Sequence, residues 1–99
     1  MHLLDEQLSL EDRMLLLDAS TTTPGRDAIK HVLFKHGVFG GEEPPAFESL
    51  VLDAFMAADS PNLGYLYRAY PIYGAAVRVM RRGGSRWGGD YLCDVLNAS

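Results

Sequence analysis

The sequence predicts an all-α fold, a compact single-domain bundle of five or six short helices that spans residues 1–99. Apolar residues recur mainly at the three- and four-residue spacing of a helix, and no convincing pair of alternating strand patterns occurs. A hydroxyl residue stands directly before proline at Thr23-Pro24 and Ser60-Pro61, an arrangement typical of helix starts. A chain of 99 residues can bury roughly 65% of its unfolded surface in one core, so we expect no second domain.

The first helix is predicted over residues 10–18. Ser9 and Asp12 have the hydroxyl-then-acid spacing of a capping box, and two acids would lie favourably in the first turn. The residues expected to form its buried stripe are Leu10, Met14 and Leu17. A second helix is predicted from Thr23-Pro24 to the stop signal Gly37, followed by a surface linker over residues 38–45 that is rich in glycine and proline.

The third helix has the most regular apolar pattern of the chain. Its inward residues are predicted to be Phe47, Leu50, Val51, Ala54, Phe55 and Ala58. Leu52 and Met56 add a second apolar line beside the first, so we expect this helix to be contacted from two sides and to lie centrally in the bundle.

The remaining helices are predicted from prolines and glycines. The fourth helix opens at Ser60-Pro61, and Pro71 should either kink it or break it, with a new helix at Ile72. That helix should end at Gly83-Gly84, because paired glycines disfavour its continuation. Residues 83–89 are then expected to form a flexible loop, and a short last helix should follow Asp90.

Composition excludes several classes of protein. The longest apolar runs have four residues, far below the roughly 20 needed to span a membrane, so we expect no transmembrane helix. The first residues show neither a basic region nor an apolar run of signal length, and the only cysteine, Cys93, has no disulfide partner in the chain. We therefore expect a cytoplasmic protein. Seven arginines against two lysines, with abundant alanine and glycine, are typical of GC-rich coding and favour an accessory protein of a high-GC bacterium or its phage.

Charge is distributed unevenly along the chain. Residues 1–59 hold eleven acidic and four basic residues, whereas residues 60–99 hold two acidic and five basic residues. Residues 60–89, the acid-free segment, contain all five of those arginines, four tyrosines and the only tryptophan. Such a segment either binds an external anion or pairs with the acidic half of the same chain.

The candidate contact surface lies in the acid-free segment. Its predicted partner-binding residues are Arg78, Arg81, Arg82, Arg86 and Trp87, with Tyr65 and Arg68 at the margin. Two interpretations stay open at this point, because Arg78 could instead pair with an acid from residues 1–59, and Arg81 and Arg82 could serve as last-turn cations. Trp87 could be exposed or could fold back on the core.

No catalytic residue, cofactor site or metal site is predicted. His31 and His36 are five residues apart, which does not place two ligands on one helical face, and no phosphate-binding glycine loop occurs. Cys93 lies beside Leu92, as expected of a packed thiol. We therefore expect a non-enzymatic protein that binds another protein as an adaptor or inhibitor.

Two other modes of action remain open. The first is nucleic-acid binding by the basic face, with residues 47–58 and the helix from Asn62 arranged as a helix-turn-helix. Asp59 in the turn and the net charge of −4 weigh against it. The second is a homo-oligomer in which the acidic half of one copy meets the basic half of another.

Overall fold

The computed structural model describes residues 8–98 and contains five α-helices in that range, with no strand among those residues. In chain order they are α1 (Leu10–Ala19), α2 (Thr23–Lys35), α3 (Ala46–Ala57), α4 (Ser60–Ala69) and α5 (Pro71–Asn97). The predicted all-α fold is therefore confirmed.

The helix starts follow the capping residues closely. The amide of Asp12 donates to Ser9 Oγ over 3.1 Å, as the capping-box spacing predicts. α2 is capped by Thr22 and α4 by Asp59, in each case one residue earlier than predicted. An oxygen-bearing residue precedes both predicted caps, and proline is tolerated in the first turn, so each helix gains one residue.

Pro71 breaks the helical path, and a new helix begins at the proline itself. Tyr70 has φ −132° and ψ 72°, because the residue before a proline is driven out of the helical region. Within α5 the path turns again at Gly84, whose φ of 68° suits glycine. This turn divides α5 into an N-terminal arm (71–83) and a C-terminal arm (85–97).

The turn at Gly84 confirms the predicted end of the helix, but the loop predicted over residues 83–89 is wrong. Helix resumes at Ser85, and Gly88 and Gly89 are buried. A β-carbon on Gly88 would stand 2.9 Å from the Val79 carbonyl oxygen and 3.0 Å from Met80 Cα. Gly88 therefore allows the two arms of α5 to approach each other closely, and Gly89 makes room for the Val38 side chain.

The core is organised around α5, and the prediction that α3 lies centrally is wrong. α1, α2 and α4 each pack extensively on α5, whereas α3 makes fewer contacts with α2 and α5. Small and β-branched residues make the N-terminal arm thin enough to be approached from several sides, and residues 73–77 of that arm are all buried. α3 buries Val51, Leu52 and Phe55 but leaves Phe47 and Leu50 exposed.

The predicted buried stripe of α1 is also wrong. Leu10, Met14 and Leu17 point to solvent, and the buried residues are instead Asp12, Leu16 and Ala19. Asp12 and Leu10 are two residues apart and so lie on nearly opposite sides of the helix. Because Asp12 pairs with an arginine of α5, the helix is turned with that side inward.

Candidate functional site

The most conspicuous exposed apolar surface is on α1. Leu10, Met14 and Leu17 are 63%, 60% and 51% exposed, respectively, and follow one another on one side of the helix. We call these three residues the α1 face. The face continues into a cleft of about 450 Å³ between α1 and the C-terminal arm of α5, where Tyr91 and Val95 supply further apolar wall.

The border of this surface carries mostly negative charge. Glu11 and Asp18 lie along one side of the α1 face, and Asp94 and Arg13 line the cleft on the other side. Three acids and one base surround three apolar side chains. A partner with apolar residues flanked by basic ones would complement this arrangement.

A second groove, of about 430 Å³, lies on the other flank of α1. Arg68, Arg78 and Arg82 all line it, and we call it the arginine groove. The cap residue Ser9 and Glu11, Asp12 and Leu15 of α1 form part of its walls, and Tyr67 and Pro71 complete them. Three of the seven residues predicted as a contact surface therefore meet here.

Arg78 is paired inside the molecule. Its Nε and Nη2 donate to Asp12 Oδ2 and Oδ1 over 2.7 and 2.6 Å, a two-pronged ion pair. The Asp12 side chain is only 9% exposed and that of Arg78 is 30% exposed. The hydrogen bonds to Asp12 raise the pKa of Arg78, and its guanidinium carbon lies 4.3 Å from the centre of the Tyr67 ring. Of the two interpretations of Arg78, pairing with an acid from residues 1–59 is therefore the one that the structure shows.

Arg81 also has an internal role. Its Nη2 donates to the Phe55 carbonyl oxygen over 2.8 Å. Phe55 lies in the last turn of α3, where carbonyl groups lack helical partners and a positive charge is favourable. Arg81 therefore ties the end of α3 to α5 and does not line the arginine groove.

The other predicted residues are exposed at separate places. The Arg86 guanidinium carbon lies 5.1 Å from the centre of the Trp87 ring on the C-terminal arm of α5, and Trp87 is 45% exposed. Arg68 lies 5.4 Å from the centre of the Tyr65 ring on α4. Tyr65 lines a different, shallow cleft between α3 and α4 together with Ala54 and Leu66.

A turn in the predicted linker presents a phenylalanine that sequence reasoning did not single out. Phe39 is 98% exposed between Gly37 and Gly40, which have φ values of 70° and 99°. The Val38 amide donates to the Leu33 carbonyl oxygen over 3.0 Å, and the Val38 side chain packs beside Gly89. The Glu42 amide donates to the Lys30 carbonyl oxygen over 3.1 Å, so the turn is anchored on both sides of the exposed ring, which makes Phe39 a second candidate contact residue.

The α1 face was missed because α1 is apolar on more than one side. Leu10, Met14 and Leu17 fit one helical stripe, and Leu15 and Leu16 belong to others. The one signal against the predicted stripe was a carboxylate, Asp12, that could pair with an arginine in the distant acid-free segment. Sequence spacing alone does not show which of those arginines pairs with Asp12.

Three titratable groups in the described range, Tyr73, Arg78 and Cys93, have clearly shifted pKa values. Burial raises the pKa of Cys93, and Asp90 and Asp94 raise it further, so the thiol stays protonated at neutral pH. His31 Nδ1 and the Tyr73 hydroxyl are 2.9 Å apart, and burial raises the pKa of Tyr73 to about 12. In this part of the chain, no three His, Cys, Asp or Glu side chains are grouped as metal ligands would be.

Comparison of the chain with protein-family models, curated proteins and solved structures finds no match. Within the described range, no helix has both the length and the apolar character needed to cross a membrane.

Proposed function

We propose that this protein is a non-enzymatic binding module that docks on a helix of a partner protein through the α1 face. The observation that carries the proposal is the row of Leu10, Met14 and Leu17, each more than half exposed beside an apolar cleft. Fully burying a large apolar side chain contributes about 1.5–3 kcal/mol. Since these three are already partly buried, each would add roughly 1 kcal/mol or more on docking.

The acidic residues at the border of the α1 face indicate the charge expected of the partner. Glu11 and Asp18 flank the α1 face, so an amphipathic helix with basic residues beside its apolar stripe fits best. A second copy docked symmetrically on the same face would bring the acidic borders of two copies together, which is unfavourable. The proposed partner is therefore a different protein, and we propose an adaptor or inhibitor role.

Nucleic-acid binding has weaker support. Arg78 is neutralised by Asp12, and Arg81 and Arg68 each donate to a backbone carbonyl, so three of the five arginines already make internal contacts. In the proposed helix-turn-helix, the cap of the second helix is Asp59, an acid at the end that would approach phosphates.

The test compares two substitutions of exposed apolar residues. Tagged protein is used to capture partners from the native host, and the captured protein is then purified and titrated calorimetrically. Met14→Glu should weaken binding at least about tenfold, because it places an acid at the centre of the apolar contact. Leu50→Glu is the matched control, since Leu50 is 67% exposed on α3, away from the α1 face.

Both substitutions are at exposed positions, so thermal unfolding followed by circular dichroism should be nearly unchanged. Higher salt should weaken binding of the wild type if the acidic border contributes. Equal binding by Met14→Glu and wild type would refute the proposal. A concentration-dependent mass in light scattering that Met14→Glu abolishes would instead assign the α1 face to self-association.

A further inference from the structure

The arginine groove holds more positive charge than the chain neutralises. Ion pairs among the described residues include Lys30–Glu42, Lys35–Asp53 and Arg78–Asp12. Neither Arg68 nor Arg82 has a carboxylate partner in that set, although Glu11 lines the same groove. Arg82 lies one helical turn from Arg78, whose charge is already balanced by Asp12. An external anion would balance the charge of Arg68 and Arg82.

The walls of the groove hold the arginines in place. Arg78 is fixed by its two bonds to Asp12 and by the Tyr67 ring below it, so it forms a rigid, internally neutralised floor. Arg68 donates its Nε to the Gly64 carbonyl oxygen over 3.4 Å and lies beside Tyr65. Arg82 lines the same groove and is exposed. Two guanidinium groups with few internal contacts thus border one central space.

The start of α1 adds to this field. Ser9, which caps α1, and Glu11 of its first turn both line the groove. The free amides and the dipole of a helix start favour an anion. The carboxylate of Glu11 repels a bound anion, so a singly charged carboxylate would gain little binding free energy in the groove. A doubly charged phosphoryl group offers more charge and three acceptor oxygens to the two guanidinium groups.

We infer that the arginine groove binds one phosphate-sized dianion, either inorganic phosphate or a phosphomonoester, between Arg68 and Arg82. Arg78 positions the floor of this site through Asp12. The site is separate from the α1 face, so its test does not depend on the proposed protein partner.

The test is a titration with sodium phosphate at constant ionic strength, followed by nitrogen-15 NMR of the arginine Nε–Hε groups. Saturable shifts should appear at Arg82 and Arg68 and at the first amides of α1. Arg82→Gln should weaken binding about fivefold or more, because one charge-assisted contact is lost. Arg86→Gln is the matched control, since Arg86 is an exposed arginine beside Trp87 outside the groove.

Titrations with further ligands distinguish the possible sources of the anion. Inorganic phosphate, a blocked phosphoserine peptide, its unphosphorylated form and acetate are compared, and the tighter of the two phosphate compounds identifies the source. Glu11→Gln should tighten binding by removing the opposing charge. Circular dichroism melts of each variant check that the fold is intact.

Several outcomes would overturn the inference. They are the absence of saturable shifts with either phosphate compound, acetate binding as tightly as phosphate, and equal losses in Arg82→Gln and Arg86→Gln. A single-stranded oligonucleotide whose binding depends equally on both arginines would also overturn it, because that result describes an extended nucleic-acid surface.

Discussion

Removing the carboxylate of Asp12 should destabilise the protein more than any substitution of an exposed charge. Asp12→Ala deletes two charge-assisted hydrogen bonds to Arg78, of 2.7 and 2.6 Å, and leaves a half-buried guanidinium without its partner. Breaking a fully buried pair costs about 3–5 kcal/mol. Because the Arg78 side chain is 30% exposed and can reach water, we expect a loss of about 2–3 kcal/mol. The total free energy of unfolding of a domain of this size is about 5–15 kcal/mol.

The assay is urea unfolding followed by circular dichroism, with a double-mutant cycle using Arg78→Met. The double variant should be less destabilised than the two single changes together, with a coupling free energy of about 1–2 kcal/mol. Arg82→Met is the control, since Arg82 lies one turn along the same helix without an ion pair among the described residues, and it should change stability by less than about 0.5 kcal/mol. A coupling near zero, or an Asp12→Ala loss no larger than that of Arg82→Met, would refute the reasoning.

Three further predictions concern packing and titration. Gly88→Ala should lower the free energy of unfolding by about 1–3 kcal/mol, because its β-carbon would stand 2.9 Å from the Val79 carbonyl oxygen. A β-carbon on Gly64 would have no neighbour within 4 Å, so Gly64→Ala should instead raise the free energy of unfolding by up to about 1 kcal/mol, measured by urea unfolding. A Gly88→Ala variant as stable as the wild type would contradict the close approach of the two arms. Burial raises the pKa of Tyr73 to about 12, so its phenol keeps its proton in the folded state, whereas the phenol of the unfolded chain ionises near pH 10. The free energy of unfolding should therefore fall as pH rises from 10 towards 12. A Tyr73→Phe variant with the same pH dependence would show that Tyr73 is not the cause. Cys93, whose thiol pKa is raised by burial, should react with iodoacetamide at pH 8 more slowly in the folded protein than in urea, and equal rates would show that the thiol is not protected.

Local signals predicted the helix boundaries well. Ser9 caps α1 as its spacing indicates, Pro71 separates α4 from α5, and Gly84 turns the chain where a helix end was predicted. These features depend on the backbone of a few adjacent residues, so the sequence contains the information directly. The misplaced loop over residues 83–89 shows the limit of that approach. Gly88 serves the contact between the two arms of α5 and Gly89 a contact with Val38, and only the positions of Val79, Met80 and Val38 in the fold reveal these roles.

The orientation of the helices could not be predicted from periodicity. α1 and α3 are apolar on more than one side, so the pattern allows several rotations about each helix axis. In α1 the choice follows from a contact between Asp12 and Arg78, which are 66 residues apart in the chain. In α3, the exposed positions of Phe47 and Leu50 follow from its place at the edge of a bundle centred on α5.

The same long-range pair also decides how the candidate surfaces are arranged. With Asp12 turned inward, Leu10, Met14 and Leu17 point outward, and Arg78 is held at the floor of the arginine groove. Glu11 and Leu15 border both surfaces, so a helix docked on the α1 face would run beside the groove. Because the ion pair orients the α1 face, Asp12→Ala should weaken partner binding, whereas Arg82→Gln should weaken only phosphate binding and Met14→Glu only partner binding.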